Sequence, residues 1–323
     1  MTRPTPFDSF LVIRNPASTS VAAANWRIAE LQRAFPTATC HIIDTRPGGK
    51  AANRALLHDQ ASRLGRHTLL CVAGGDGTIN LVLDCLLHDP ALSAQARQTP
   101  IFPLWGGNAN DLACMLNGGP RSANVAAIVR TGSIVAVSPL ICSFTSRQGR
   151  QTTHLAACYT SFGASAITTQ ILGQKKSTSN ALFRQPGLRF IREVLIAISG
   201  MSHAPTFTIN SDGQIKTVYE YIFFNGPRFA KVTGVRRQLT DQKFHGALLE
   251  QKKLSRVLVS MAALSRKNQA HKFEHTQASF TVRQTTWSQF DGETIRVPAG
   301  TTVTISVAEQ PFYALSTRLG QAG

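Results

Sequence analysis

Four short apolar runs punctuate the first third of the chain, at residues 10–13, 39–44, 67–73 and 101–104. Each has strand length, and the third, ending in Leu69-Leu70-Cys71-Val72-Ala73, is apolar on both faces as a buried parallel strand requires. Between them lie stretches with helical periodicity. Residues 21–35 place Trp26, Ile28, Leu31 and Phe35 near one face. Residues 50–64, 79–87, 112–116 and 125–130 read as further helices. Strands alternating with helices through short loops predict a parallel sheet covered on both faces. After about Thr131 the texture becomes strand-rich, with runs at 134–137, 155–160, 206–209, 218–224, 278–283 and 301–307. Helical patterns there are confined to 188–199 and 253–264, and 173–185 is a polar, basic loop. The prediction is an α/β N-terminal domain (1–132) with a parallel sheet and polar loops at its strand ends. A β-sandwich-like C-terminal domain (133–323) follows, with a return of the last residues to the first domain left open.

Length and composition fit this division. A chain of 323 residues with 43% apolar content can form two cores. The apolar runs stay under ten residues, far short of a membrane-spanning helix, and the N-terminal stretch lacks a secretion-signal pattern. Six scattered cysteines without a C-x-x-C pair read as buried thiols of a reducing cytosol. The net charge of +17 is lopsided. Residues 1–132 carry 12 Lys and Arg against 8 Asp and Glu, whereas residues 133–323 carry 22 against 9. A basic second half suits an anionic surface such as a membrane face. No helix-turn-helix or zinc-finger pattern points to nucleic acid. The His271-x-x-x-His275 pair has helical metal spacing but no third ligand. Trp26 and Trp105 read as packing residues.

The chemistry concentrates in Gly74-Gly75-Asp76-Gly77-Thr78. A strand that runs through glycines into a helix leaves unpaired N–H groups aimed at one point, where anions bind. Asp76 is the odd member. A carboxylate beside phosphates calls for an intervening divalent cation or for a proton to be moved. Asn15, Thr45 and the segment from Asn108 to Asp111 fall at neighbouring strand ends, the edge where such sheets bind ligands.

These residues, taken in order, resemble the diacylglycerol kinase catalytic-domain family, which includes the bacterial lipid kinases and sphingosine kinases. The matching motifs are Asn15-Pro16, then Thr45-x-x-x-Gly49-x-Ala51, then Gly74-Gly75-Asp76-Gly77-Thr78-x-Asn80. Gly107-Asn108-Ala109-Asn110-Asp111 and the distant Asp291-Gly292-Glu293 complete the set. The resemblance implies a two-domain kinase that uses ATP and Mg²⁺ to phosphorylate a diacylglycerol-like or sphingoid alcohol, peripherally bound to the cytoplasmic membrane face. It implies nucleotide contacts from Asn15, Pro16, Ala17, Ser18, Thr19, Thr45, Gly74, Gly75, Asp76, Gly77, Thr78, Asn80, Gly107, Asn108 and Asn110. Asp76 and Asp111 would hold the metal. Asp76, Asp291 and Glu293 would be catalytic, with Glu293 as general base.

The chain also departs from the family pattern. Leu81 replaces a usual Glu, Asp84 a usual Asn, and Asn108 a usual Thr. Ser18-Thr19-Ser20 stand where glycines are usual. His245 occupies the place of an Asp that ligates a structural Mg²⁺ in the bacterial lipid kinases, so that metal is expected to be absent. Two alternatives stay open at this point: a soluble-substrate kinase of the NAD kinase type, and a non-catalytic nucleotide- or membrane-binding homologue.

Overall fold

The computed structural model describes residues 7–18, 20–46, 49–107, 110–119, 124–175, 204–229, 232–233, 239, 242–249 and 272–319. The first elements are β1 (Ser9–Arg14), α1 (Val21–Ala34), β2 (Thr39–Asp44), α2 (Gly49–His58) and β3 (Thr68–Ala73). They continue with α3 (Asp76–His88), β4 (Ile101–Pro103), α4 (Asp111–Asn117), α5 (Val125–Thr131) and β5 (Ser133–Val137). β1 pairs parallel with β2 and β3, and β3 parallel with β4. The apolar run of β3 is buried throughout. Its Leu69, Cys71 and Ala73 join a core with Ala24, Ile28 and Leu31 of α1 and Ile128 of α5. Leu70 and Val72 join the opposite core with Leu56 of α2 and Val82 of α3. Alternation along one strand thus fixes helices on both faces.

The last described strand, β20 (Phe312–Ser316), inserts between β4 and β5. It runs parallel to β4 and antiparallel to β5. β5 starts just past residue 132, yet it pairs in this first sheet through β20. The sandwich is therefore spliced between two strands of one sheet, and the chain crosses between the units twice.

The second unit contains β6 (Leu140–Thr145), β7 (Gln151–Ala156), β8 (Tyr159–Gly163), α6 (Ala164–Lys175), β9 (Phe207–Ser211), β10 (Gln214–Val218) and β11 (Glu220–Phe224). A short β12 (Arg228–Phe229) and β13 (Val232–Thr233) ladder follows, then β14 (Phe244–Leu249) and β15 (Lys272–His275). β16 (Gln277–Val282), β17 (Thr286–Phe290), β18 (Glu293–Val297) and β19 (Thr302–Val307) complete it. Among the described residues these make two six-stranded antiparallel sheets, ordered β10-β9-β16-β19-β6-β7 and β15-β14-β11-β8-β17-β18. Their inner faces enclose Phe144, Phe162, Phe207, Phe223, Phe244, Phe280 and Phe290. Phe162 meets Phe280 edge-on at 5.1 Å between ring centroids. The outer face of the second sheet gives Tyr159, Ile222, Phe224 and Ala247 to the core around α3, so one apolar cluster joins the units.

Several local readings are corrected. The 155–160 run is two strands, because the chain turns at Ala157 and Cys158. α3 begins at Asp76 rather than at 79. α2 stops at His58 and is followed by one 3₁₀ turn, Ala61–Arg63. Trp26 is not a core residue. The buried stripe of α1 is Ala24, Arg27, Ile28 and Leu31, and Trp26 is 57% exposed on the far side. Trp105 does pack, with its indole N–H donating to Gly118 O at 2.9 Å. The 173–185 segment is helical through Lys175 as the end of α6. Its remainder, the 188–199 and 253–264 helices and His271 lie outside the described residues. All six cysteines are free, and five are buried. No helix among the described residues is long and apolar enough to cross a membrane.

α6 seats on the second sheet through a polar cluster beside the small apolar one of Ala164, Ile167, Ala204 and Tyr219. Buried Glu220 accepts hydrogen bonds from Ser165 N–H at 2.8 Å and from Ser165 Oγ. Gln289 donates to Ser161 Oγ at 2.8 Å and accepts from Thr169 at 2.7 Å. Burial pushes the Glu220 carboxyl up to about 8, against the hydroxyl and amide donors that pull it down. The native state therefore keeps this proton over a range where the unfolded chain has lost it. Stability must fall as pH rises from the ordinary glutamate value toward about 8. Glu220→Gln is expected to flatten that decline, melting at least about 2 °C above wild type at pH 9. Parallel melting curves across pH 6 to 9 for the two proteins would contradict this, as read by circular dichroism.

Candidate active site

The loops at the carboxyl ends of β1, β3 and β4 converge on the start of α3. Gly75 occupies the N-cap of α3 and offers no capping side chain; Thr78 and Ile79 N–H bond Gly75 O, which leaves the Asp76 and Gly77 amides available to an anion. The β3 and β4 loops meet backbone to backbone. A Cβ added to Gly107 would stand 2.2 Å from Gly75 Cα, and one on Gly106 2.7 Å from Gly74 N. Gly106 N–H also donates to Gly74 O at 3.0 Å. Only glycine permits this approach.

The β1 loop is tied to the same pair. Ser18 Oγ donates to Gly106 O. Asn15 donates through Nδ2 to Thr78 Oγ1 at 3.1 Å and accepts the Ala17 N–H at 3.0 Å. Asn110 holds the left-handed region at φ 54°. Its side chain clasps Gly107, accepting the N–H and donating to the carbonyl, both at 2.8 Å. Thr45 N–H bonds Arg14 O at 2.8 Å, which places Thr45 at the same edge beyond β1. Pro16 and Ala17 occupy the turn after β1. Thr19 and Asn108 lie outside the described residues.

Two carboxylates line the floor. Asp111 opens α4 and is fully buried. Asp76 accepts the Leu112 N–H at 3.4 Å. The Asp76 residue keeps a partly accessible surface, yet its carboxyl is crowded. Burial first, then Asp111 and Asp291, push it up to about 7. Such like-charge crowding is what a divalent cation relieves. Among the described residues no group of three or more His, Cys, Asp or Glu encloses a metal site. A pair of hard oxygen donors suits Mg²⁺, which keeps waters and binds through one or two carboxylates plus phosphates.

The sandwich closes the site from the other side. Asp291 and Gly292 are successive left-handed residues, at φ 47° and 96°, and Glu293 follows at the start of β18. A Cβ on Gly77 would come within 2.6 Å of Glu293 Oε1. The exposed Glu293 carboxylate thus stands directly over the first turn of α3. Asp291 and Asn80 are brought close as well, but they face one another and the β7–β8 turn instead of the glycine loops. Burial pushes Asp291 up to about 6, against the Tyr159, Ala157 and Cys158 amides and Asn80, which pull it down.

Sequence reading missed Tyr159. Its phenol is held protonated well above the usual tyrosine range by burial, then by Asp111, Asp76 and Asp291. No motif flags it, since it reaches the cluster through strand pairing. The departure at Asp84 has a local explanation: this buried carboxylate takes Arg54 at 3.0 Å and His88 at 3.1 Å. His245 stands on β14 opposite Phe224.

Residues 9–140 match the diacylglycerol kinase catalytic domain model. No curated protein matches the chain. Among solved structures, a diacylglycerol kinase from Bacillus anthracis str. Sterne aligns with a TM-score of 0.62 at 15% identity, covering 96% of this chain and 97% of that one. A second protein of that organism, provisionally named a diacylglycerol kinase, aligns at 0.66 and 16%, covering 96% and 98%. The yeast NADH kinase in complex with NADH aligns at 0.51 and 10%, covering 96% and 84%. At these identities the likeness is one of fold.

The loop contact gives a direct test. Gly107→Ala forces the β3 and β4 loops apart and is expected to cost about 1–3 kcal/mol, the range for overpacking. Gly149→Ala, where an added Cβ meets nothing within 4 Å, bears only the left-handed backbone cost of about 1 kcal/mol. Urea unfolding of both variants checks the order, and equal losses would contradict it.

Proposed function

We propose, from a chain whose residues 9–140 match the diacylglycerol kinase catalytic domain model, that this protein is an ATP-dependent lipid kinase. The reading is transfer of the γ-phosphoryl group to the hydroxyl of a diacylglycerol-like or sphingoid alcohol. One observation carries it: the Glu293 carboxylate lies against Gly77, on the first turn of α3, which in this reading takes the phosphate.

In this reading the polyphosphate lies along Gly74, Gly75, Gly77 and Thr78, where the Asp76 and Gly77 amides and the helix dipole favour negative charge. Asn15, Ser18, Thr45, Gly107 and Asn110 shape the pocket around it. Asp76 and Asp111 would hold Mg²⁺, which would supply charge compensation to the phosphate oxygens. Glu293 faces the lipid hydroxyl. As the oxygen bonds to the γ-phosphorus, Glu293 accepts the hydroxyl proton and ADP departs. Tyr159, kept protonated, offers a donor beside the acidic pair. The basic balance of residues 133–323 draws the enzyme to anionic membrane surfaces, at about 1 kcal/mol per Lys or Arg near the surface. The fold likeness to an NADH kinase supports a second reading, in which the acceptor is a soluble alcohol.

Transfer of labelled γ-phosphate to lipid alcohols in mixed micelles tests the proposal. Labelled lipid is expected from wild type, with a loss of at least about 100-fold in Glu293→Gln, the range for a general base, and background levels in Asp76→Ala. Product on a soluble alcohol alone would select the second reading. Full activity in either variant would overturn the site assignment.

A further inference from the structure

Two residues of the family motifs, Asn80 and Asp291, spend the amide hydrogens of the one and the acceptor positions of the other on each other and on the β7–β8 region. Asp291 Oδ1 accepts the N–H groups of Cys158 at 3.0 Å and Tyr159 at 3.1 Å. Its Oδ2 accepts the N–H of Ala157 at 2.5 Å and Asn80 Nδ2 at 3.3 Å. A carboxylate offers about four acceptor positions, and all are used. Asn80 spends the same amide nitrogen on Leu155 O at 2.6 Å, so both donor hydrogens cross from α3 to the sandwich.

The turn they grip is held from its other side too. Asn225, fully buried at the end of β11, donates its backbone N–H to Cys158 O and its side-chain amide to Ala157 O, each at 2.8 Å, and to Ser138 O at 2.9 Å. Ser138 lies on the passage from β5 into the sandwich. Asp291 N–H in turn donates to Tyr159 O at 3.2 Å. The β7–β8 turn is therefore a hub that joins α3, the chain crossing and the turn that carries Glu293.

We propose that Asn80 and Asp291 are positioning residues, an interdomain latch that sets Glu293 over the first turn of α3, and that neither touches nucleotide, metal or acceptor. The inference rests on the reading of Glu293 as base. The residue types fit the task. Three converging N–H groups call for a carboxylate, since an asparagine would turn a donor against one of them. A carbonyl and a carboxylate facing α3 call for an amide, since an aspartate at 80 would be repelled by both. The left-handed φ of Asp291 then turns the chain so that Glu293 emerges toward Gly77.

The test compares Asn80→Ala, Glu293→Gln and the double variant. Asn80→Ser, too short to span to Leu155, replaces Asn80→Ala if that variant does not fold. Calorimetry with Mg·ATP should give a Kd within about threefold of wild type for the Asn80 variant, because no nucleotide contact is lost. Steady-state kinetics should show kcat down at least about tenfold with KM for ATP held. In the Glu293→Gln background the Asn80 change should cost nothing further, since it acts through that side chain. A Kd weakened tenfold or more would make Asn80 a nucleotide ligand and overturn the proposal. Multiplicative losses in the double variant would overturn it as well. A Glu293→Gln protein with full activity would instead refute the assignment of the base, and the calorimetric result on Asn80 would stand apart from it.

Discussion

No side chain fits between the loop after β3 and the loop after β4. That constraint organises the site. With Gly75 and Gly107 in backbone contact, the N-terminal turn of α3 is pressed against the β4 loop, and Asn110 and Ser18 can clamp the pair from either side. α4 then starts where its first residue, Asp111, lies beside Asp76. Were the loops a methyl group further apart, the anion-binding amides of α3 and the acidic pair would no longer share one floor. The sandwich completes the arrangement by lowering Glu293 onto Gly77, the remaining position on that turn where a Cβ would obstruct the approach.

The site is electrostatically costly in the free protein. Asp76 and Asp291 are both raised above the usual aspartate range by burial, and Asp76 further by its neighbours. Such crowding has a structural remedy and a functional one. Asp291 has the structural one, because backbone amides of a tight turn surround it. Asp76 and Asp111 keep the functional one in the proposed reading, in which a divalent cation and phosphates complete their shell. Carboxylates from three separate motifs thus fall into two roles by their hydrogen bonding.

Much of the first unit was legible from the sequence because its signals are local. A run such as that of β3 reads as buried on both faces, and glycines between strand and helix read as a ligand approach, although the partner the structure shows at Gly74 and Gly75 is the β4 loop. The sandwich was legible as a class from its alternating runs, but not in its joints. The break at Ala157 and Cys158 has no local signal, since it is imposed by a carboxylate more than a hundred residues downstream. The pairing of β5 with β20 likewise depends on the far end of the chain. Trp26 misled because the 28, 31, 35 spacing was extended back to the wrong residue, with Ala24 the true member of the stripe. At the site, Asp76, Asp111 and Glu293 carry chemistry in their own identity. The orientation of Asn80 and the arrival of Tyr159 follow only from which strands meet.

In the proposed reading, phosphoryl transfer takes place between the first turn of α3 and the Gly292–Glu293 turn. A crystal structure with Mg²⁺ and a non-hydrolysable ATP analogue tests it most directly. The terminal phosphate is expected over Gly75 and Gly77, the metal between Asp76 or Asp111 and the phosphates, and Glu293 facing the γ-phosphorus from the sandwich side. A nucleotide bound elsewhere, or one whose terminal phosphate points away from Glu293, would contradict it.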